Sequence, residues 1–357
     1  ASNTFTVAYT PPANRPPVVQ NPGPQSHLRG SIVSVQMQGS DPDNQALTWS
    51  ATGLPAGLSI NAGTGLIGAG WAARLLFRGY DVIAYDVSPA AEEKLKAQIK
   101  TAWPSLEALL GKPKKKGKLS FTTDLKVMAS KADFIHEAAP EREELKIKLF
   151  RDIDAVAAPH VIISSSSSGF LPTNLQSQCK HPGRVVIGHP FNPVYLLPLV
   201  ELVPGEKTSA EAMDRAAEYF EAIGMHVLRL KKEIMGYICD RLQEALWREA
   251  LHMVANGEAT PADIDNALMN GPAARMAVQG QCMAFHVACG EGGMATNLDQ
   301  FGPALKWPWT RLEAPELTQE LRDRMVDGCN EIAAGRHFEA MAATRDREIV
   351  AVLNAIR

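Results

Sequence analysis

Polar side chains that could handle a proton follow two apolar, strand-like runs in the middle of the chain. A run of serines at 164–168 follows VII, and His189 follows RVVIG. If these runs are strands of an open α/β sheet, their carboxyl ends lie at the edge where such sheets bind ligands. A histidine ordinarily titrates near neutrality, so His189 could accept a proton from an alcohol while a serine hydroxyl holds the oxygen. Considered alone, His189 could also be a capping or core histidine.

A glycine pattern earlier in the chain indicates a phosphate-binding turn. GTGLIG contains Gly63, Gly65 and Gly68, with Leu66 and Ile67 between the last two, and it lies between LSINA and GWAARLLFRGY. Glycines permit a tight turn and close approach to a pyrophosphate, and the N-terminus of the following helix offers free N–H groups. A glycine-rich surface turn is the alternative, but strand, turn and helix patterns follow in the order that a dinucleotide site requires.

The second strand-like run indicates which dinucleotide is bound. DVIAYD ends at Asp86, about twenty residues after the glycines, where a carboxylate accepts hydrogen bonds from the adenosine ribose hydroxyls. The same carboxylate would repel a 2′-phosphate, so NAD is favoured over NADP. NAD beside a base predicts that the protein oxidises an alcohol by hydride transfer.

The order of the patterns predicts an α/β fold. Strand-like runs alternate with helical patterns from about residue 70, which predicts βαβ units and a parallel sheet. After about Ile234 only helical patterns remain, among them a helix with Thr260 as N-cap and Pro261 in its first turn. We therefore predict a Rossmann-type NAD-binding domain at 58–232 and an all-helical domain at 233–357.

The composition argues against several classes of partner. The net charge of −3 gives no general attraction to nucleic acid or to a membrane surface, and no apolar run is long enough for a membrane span. The five cysteines form no CxxC pair, so we predict neither a zinc site nor a disulfide scaffold. Scattered cysteines and the lack of a signal-peptide pattern predict a cytoplasmic location.

Several motifs in one order resemble the 3-hydroxyacyl-CoA dehydrogenase superfamily. They are GLIGAGWAA, DFIHEAAPEREELKIKLF, the serine run, GHPFNPVYLLPLVEL and GYICDRL. The resemblance covers about 63–357. It implies an NAD-dependent dehydrogenase whose helical domain binds substrate and forms a homodimer.

The resemblance also implies roles for individual residues. The general base of the superfamily falls on His189, and the acid that orients it falls on Glu201. The serine that contacts the substrate oxygen falls on Ser168, and the asparagine of the H-x-x-N segment falls on Asn192. Glu137 matches a position near the nicotinamide ribose.

The C-terminal motifs narrow the expected substrate. HVACGEGG and DQFGPALKWPW are similar to the branch of the superfamily that oxidises the 3-hydroxyl of L-carnitine to 3-dehydrocarnitine. Asp240 stands where the acyl-CoA enzymes have asparagine, which supports that branch. A trimethylammonium group offers no hydrogen-bond donor, so aromatic faces are expected to bind it. The aromatic candidates, any of which could instead be a core residue, are Trp247, Phe285, Trp307, Trp309 and Tyr195.

Other functions stay open at this point. A 3-hydroxyacyl-CoA such as 3-hydroxybutyryl-CoA would give the basic run GKPKKKGK at 111–118 a role with CoA phosphates, although a solvated loop explains it equally. A small 3-hydroxy acid or a sugar acid is a further substrate class. A non-catalytic structural or surface protein that carries a degenerate dehydrogenase body is the alternative from another class. NAD-dependent turnover distinguishes this last alternative from the enzymes.

The first part of the chain has a different pattern. NRPPVVQNPG and SDPDNQALTWSATGLPAGLSINAGTGLI resemble an immunoglobulin-like repeat of bacterial surface and secreted proteins, over about 14–67. This pattern meets the dehydrogenase pattern inside the glycine turn, so the usual first Rossmann strand is missing. We hypothesise that LSINA at 58–62 replaces that strand and that 1–57 forms a partial, loosely attached β appendage.

Overall fold

A computed structural model describes the chain in two units, residues 1–64 and residues 65–357. In the first unit it describes β1 (Val18–Gln20) and β2 (Gln38–Ser40), which pair antiparallel. From residue 66 onward it describes the chain apart from 290, 292, 303–308, 311–315, 317, 322, 325–326, 328–333, 335, 337 and 356–357. The predicted strand LSINA, together with Gly63 and Gly65, lies outside the described residues.

The second unit begins with alternating helices and strands and ends with helices. The first elements are α1 (Leu66–Phe77), β3 (Val82–Tyr85), α2 (Ala91–Leu110), β4 (Leu119–Thr122), α3 (Leu125–Ala129), β5 (Phe134–Glu137), α4 (Glu143–Asp154) and β6 (Ile162–Ser165). The next are α5 (Pro172–Leu175), β7 (Val185–Pro190), β8 (Leu199–Pro204), α6 (Ala210–Ala222) and β9 (His226–Arg229). The helices that follow are α7 (Cys239–Ala255), α8 (Pro261–Asn270), α9 (Pro272–Ala288), α10 (Gly293–Phe301) and α11 (Phe338–Ala355).

The described strands of this unit form two sheets. β3 and β4 pair in parallel, and five strands pair in the order β5-β6-β7-β8-β9. The larger sheet is parallel, as predicted, except that β8 runs antiparallel to β7. The reversal has a simple cause, because residues 191–198 are too few for the crossover that a parallel pair requires, and the chain returns as a hairpin.

Helices cover both faces of the larger sheet, which confirms the predicted α/β class. On one face, α1 and α6 pack against β7 and β8 through Trp71, Phe220, Val186 and Leu202. On the other face, Phe150 of α4 belongs to a cluster with side chains of α3, β5, β6 and β7. Successive residues of a strand point to opposite faces, so each central strand contributes to two cores. Such strands read as continuous apolar runs, which is the pattern from which they were predicted.

One helix of the helical part begins at the cap that the sequence predicts. Thr260 caps α8 and forms a reciprocal capping box with Asp263, while Pro261 occupies the first turn, as predicted. The last helix returns to the α/β part of the chain. Val350 packs with Leu109 of α2 and with Leu196. The C-terminal helix therefore shares a core with the loop that follows His189.

One buried histidine lies inside the sheet core. His136 of β5 contacts the rings of Trp71 and Phe134, and its Nε2 lies 3.0 Å from the Tyr219 hydroxyl. Its Nδ1 has no hydrogen-bond partner, nor has the hydroxyl of Ser164, its register neighbour on β6. Burial lowers the pKa of His136 to about 3, so the imidazole is neutral in the folded protein. The structure thus gives this histidine a structural position in the core.

His136 is expected to make the protein sensitive to acid. In the unfolded chain a histidine has a pKa of about 6.5, so between that pH and about 3 the unfolded state binds more protons than the folded state. The stability that the neutral imidazole provides is complete above the unfolded pKa and decreases as pH falls. From neutral pH to about pH 5 the decrease is about 2 kcal/mol.

Replacing His136 with glutamine tests this expectation by urea unfolding at both pH values. The amide still reaches the Tyr219 hydroxyl but does not titrate, so the acid-dependent loss should be smaller by about 2 kcal/mol. His160→Gln, at an exposed position, should keep the wild-type loss. An unchanged loss in His136→Gln would mean that other groups cause it.

Candidate active site

His189 and Glu201 face each other across the β7–β8 hairpin. They are register partners in the antiparallel pair, so their side chains leave the same face of the sheet at neighbouring positions. His189 Nδ1 lies 2.9 Å from Glu201 Oε2, and the two residues are 4% and 0% exposed. Because a carboxylate only accepts, Nδ1 carries the proton and Nε2 is left to accept one.

The segment that leads into α7 binds the second oxygen of Glu201. Its Oε1 accepts hydrogen bonds from the backbone N–H groups of Ile238 and Cys239, at 2.9 and 3.0 Å. Gly236 and Tyr237 both have positive φ angles, 69° and 45°, and this turn leads into α7. The buried Tyr237 ring is fixed by a 2.7 Å hydrogen bond from its hydroxyl to the Phe170 carbonyl. Glu201 therefore joins the sheet edge to the first helix of the helical part.

These contacts keep Glu201 ionised. Burial works to raise its pKa, but the hydrogen bonds from His189 and from the two backbone N–H groups outweigh burial, and the net pKa is lowered. An ionised Glu201 fixes the imidazole tautomer and would stabilise an imidazolium formed when His189 accepts a proton. The pair is thus arranged for general base chemistry.

The serine run 164–168 begins at the end of β6, and four of its members have different hydrogen-bond partners. Ser165 donates to Glu137 at 2.5 Å, and Ser166 accepts a hydrogen bond from the indole N–H of Trp71 at 3.0 Å. The Ser167 hydroxyl and the Ser168 backbone N–H both donate to Glu141, at 2.9 and 2.7 Å. Of these residues only Ser168 is exposed, at the carboxyl end of the sheet. Its hydroxyl is therefore within reach of a ligand.

Glu137 lies in a buried ion pair behind the serines. Its Oε1 accepts from Lys146 Nζ at 2.9 Å and from the Ala139 backbone N–H at 2.6 Å. The Glu137 and Lys146 side chains are each 1% exposed. Glu141, which sequence reasoning missed, lies 3.3 Å from Lys146 and is 46% exposed. The available signal was a second acid in HEAAPE, four residues after Glu137 and just before α4, and Glu141 is the acid of this group that a ligand can reach.

The described part of the glycine motif fits a dinucleotide. Leu66 and Ile67 begin α1, Leu66 is exposed, and Gly68 faces Ala138 so closely that its added Cβ would lie 3.6 Å from the Ala138 Cβ. The N-terminus of α1 thus lies beside the chain that leaves β5. Asp86 follows β3 directly, is partly exposed, and accepts a local 2.8 Å hydrogen bond from Ser88 N–H. It lies directly after a strand, where an acid that binds ribose hydroxyls is expected.

The aromatic candidates lie in different surroundings. The ring of Phe191, which sequence reasoning missed as an aromatic candidate, is 4.7 Å from the His189 ring and partly exposed. Tyr195 instead donates to Asp346 of α11. Trp247, Phe285 and Trp309 are exposed in the described structure with no ring contact to His189, and Trp307 lies outside the described residues. Within the described rings, Phe191 offers an open face beside the base.

Asp240 lies beside His189. It is in the first turn of α7, with its Oδ2 3.9 Å from His189 Nε2 and its side chain 27% exposed. Burial raises the pKa of Asp240, while His189 works to lower it. The Nε2 of His189 therefore faces a carboxylate, whereas Nδ1 is held by Glu201. Asn192, three residues after His189, is exposed in the loop that follows β7.

The described residues lack two kinds of feature. Among the described helices, none combines the length and the apolar character that a membrane span requires. Likewise, the part of the chain that the structure describes has no group of three or more His, Cys, Asp or Glu side chains placed to hold a metal ion.

The fold and the site together define a class of protein. A base–acid pair at the carboxyl edge of a doubly wound sheet, with an acid after the second strand, is the arrangement of an NAD-dependent dehydrogenase. The model of the 3-hydroxyacyl-CoA dehydrogenase NAD-binding domain matches residues 61–234, and that of the C-terminal domain of the same enzymes matches 236–327. The chain belongs to the 3-hydroxyacyl-CoA dehydrogenase family.

Individual relatives cover the same part of the chain. The L-carnitine dehydrogenase of Nocardiopsis dassonvillei is 50% identical over 82% of this chain and 90% of its own length. That of Pseudomonas putida is 47% identical over 83% and 92%. Among solved structures, an NAD+-dependent dismutase, 5-formyl-3-hydroxy-2-methylpyridine 4-carboxylic acid 5-dehydrogenase, has a TM-score of 0.70 at 28% identity, covering 82% of this chain and 96% of its own.

The N-terminal part matches a different family. The model of an Ig domain covers residues 16–68, so it overlaps the NAD-binding model at 61–68. The overlap contains the whole glycine turn. This confirms the sequence observation that the two patterns meet there.

Proposed function

We propose that this chain oxidises the 3-hydroxyl of L-carnitine to 3-dehydrocarnitine with NAD. The observation that carries the proposal is the buried His189–Glu201 pair. The free Nε2 of His189 faces the Asp240 carboxylate, and the chain is 50% identical to an L-carnitine dehydrogenase. When bound, NAD supplies the acceptor for the hydride that leaves the carbinol carbon. His189 Nε2 takes the hydroxyl proton, and Glu201 stabilises the resulting imidazolium.

Other residues have supporting roles in this proposal. Ser168 and Asn192 donate to the substrate oxygen at the mouth of the site. Glu137 supports the site indirectly, because its carboxylate accepts hydrogen bonds from Lys146 and Ser165 and holds both side chains in place. NAD is held by the glycine turn and by Asp86, and the turn residues concerned are Gly63, Gly65, Leu66, Ile67 and Gly68. In this arrangement 58–232 forms the NAD-binding domain and 233–357 the helical domain.

A parallel assay of substrates tests the function. NADH formation is measured with L-carnitine, D-carnitine and 3-hydroxybutyryl-CoA. We expect turnover with L-carnitine and little with the other two, because both the hand of the carbinol and the cation are recognised. Turnover with the CoA ester alone would overturn the choice of substrate but keep the dehydrogenase. A folded protein that neither turns over any substrate nor binds NAD would favour the non-catalytic alternative.

We also propose that the helical part forms a homodimer. Large apolar side chains are exposed on its helices, which favours burial against a second copy. They are Leu242, Leu246, Trp247, Met283, Phe285, Leu298 and Phe301. Sedimentation velocity should give a dimer that Leu246→Glu weakens, whereas Val87→Glu in the NAD-binding part should leave it unchanged. A monomeric wild type would contradict the proposal.

We place the protein in the cytoplasm. The four described cysteines, Cys179, Cys239, Cys282 and Cys289, are free thiols, which suits a reducing compartment. The proposed reaction also draws on a pool of NAD. Cell fractionation in the source organism tests this location, and recovery of the chain in an extracellular or surface fraction would contradict it.

A further inference from the structure

The carboxylate of Asp240 faces Nε2 of His189, the nitrogen that takes the proton in the proposed reaction. Its Oδ2 is 3.9 Å from His189 Nε2, on the side opposite Glu201. That distance is too long for a hydrogen bond, so Asp240 does not fix the imidazole as Glu201 does. Within the described part of the chain, no lysine or arginine forms an ion pair with it. A partly exposed carboxylate thus lies beside the reacting position without a cation of its own.

The geometry of the substrate brings a cation to this place. In L-carnitine only two carbons separate the 3-hydroxyl oxygen from the quaternary nitrogen, so these atoms lie roughly 3–4 Å apart. A hydroxyl that donates to His189 Nε2 lies about 2.8 Å from that atom. The quaternary nitrogen therefore lies no more than about 6–7 Å from Nε2. The Asp240 carboxylate, with its Oδ2 3.9 Å from Nε2, lies within that distance.

We propose that Asp240 recognises the trimethylammonium group of the substrate and so selects a cationic 3-hydroxy acid over a neutral one. The inference rests on the proposed function and adds a residue to it. A quaternary ammonium has no N–H to donate, so it needs charge and surface contact rather than a hydrogen bond, and the partly exposed Asp240 carboxylate beside Nε2 supplies the charge. The partly exposed Phe191 ring, 4.7 Å from the His189 ring, supplies an apolar face at the same position.

A matched pair of substrates separates this role from a general one. The first is L-carnitine, and the second is 3-hydroxy-5,5-dimethylhexanoate of the same spatial arrangement, in which carbon replaces the quaternary nitrogen. The two have the same shape and differ by one charge. Asp240→Asn should lower kcat/KM for L-carnitine about 10- to 100-fold and leave that for the neutral acid unchanged or raised. The ratio of the two values is the readout.

Two further variants keep the test interpretable. Asp265→Asn makes the same chemical change at an exposed position of α8 and should leave the ratio as in wild type. Asp240→Glu keeps the charge and should retain most of the preference for the cation. This variant still tests the proposal if Asp240→Asn folds poorly. The pH dependence of kcat/KM is recorded for each variant with both substrates.

The outcomes separate this inference from the proposed function. If wild type oxidises L-carnitine but Asp240→Asn lowers both kcat/KM values equally and moves the pH profile, Asp240 acts on the base and the inference is overturned. If both variants keep the wild-type ratio, Asp240 has no part in recognition and the inference is overturned as well. If folded, NAD-binding wild type does not oxidise L-carnitine, the proposed function itself fails and the inference fails with it.

Discussion

Replacing His189 with alanine is expected to lower kcat for L-carnitine by about 10²- to 10⁴-fold. In the proposed reaction the imidazole accepts the hydroxyl proton, and its Nε2 is available for this because Nδ1 is bound to Glu201 at 2.9 Å. Neither NAD affinity nor KM should change in proportion, since the lost interaction belongs to proton transfer rather than to binding. Stopped-flow single-turnover measurements report the rate of the chemical step, and NAD titration reports the affinity for the cofactor.

The removal of a buried side chain requires a control for folding. His226→Ala, at an exposed position of β9, should keep wild-type kcat. Circular dichroism and NAD affinity should match wild type in both variants. A folded His189→Ala variant that binds NAD and retains more than about a tenth of wild-type kcat would remove His189 from the role of base.

Replacing Lys146 with methionine is expected to destabilise the protein by about 3–5 kcal/mol. The side chain is 1% exposed and its Nζ donates to both oxygens of Glu137, at 2.9 and 3.1 Å, and to the Ala139 carbonyl at 3.1 Å. Without the ammonium group, Glu137 becomes a buried carboxylate with no cation. The measurement is the free energy of unfolding in urea at neutral pH.

Two companion variants show whether the buried charge causes the loss. Lys148→Met changes an exposed residue of the same helix and should alter stability by less than about 0.5 kcal/mol. In the double variant Glu137→Gln/Lys146→Met no unpaired charge remains, so part of the loss should be recovered. If the double variant is no more stable than Lys146→Met alone, the cost comes from packing rather than from the charge.

Much of the fold follows from local patterns. The central strands are buried on both faces, so they read as continuous apolar runs between helical patterns, and the Rossmann-type class could be predicted from them. Cap residues such as Thr260 act over three or four residues, and the predicted α8 start is correct for that reason. The reversal at β8 depends on how residues 191–198 close a hairpin, and the sequence patterns did not reveal it.

The candidate site was predictable where one residue type at one spacing performs the chemistry. Asp86 directly follows β3, and His189 lies near the carboxyl end of β7, so the structure places both at the strand ends where the spacing predicts. The serine run was harder, because five identical residues cannot be told apart by pattern. The path of the chain after β6 places Ser166 against Trp71 and leaves Ser168 exposed, and these are tertiary facts. The predicted roles of Ser168 and Asn192 stay predictions.

The sequence by itself determined the family, the cofactor class, the candidate base and the order of the elements, since all of these depend on residue type and on spacing along the chain. Only the tertiary structure decided how other side chains meet His189. Antiparallel register places Glu201 opposite His189, and the turn at Tyr237 brings Asp240 to within 3.9 Å of Nε2 from the start of the helical part. The tertiary structure also places Tyr195 in a hydrogen bond with Asp346 and places Phe191 beside the imidazole of His189. Such contacts depend on how helices dock against a sheet edge, and no local periodicity encodes that geometry.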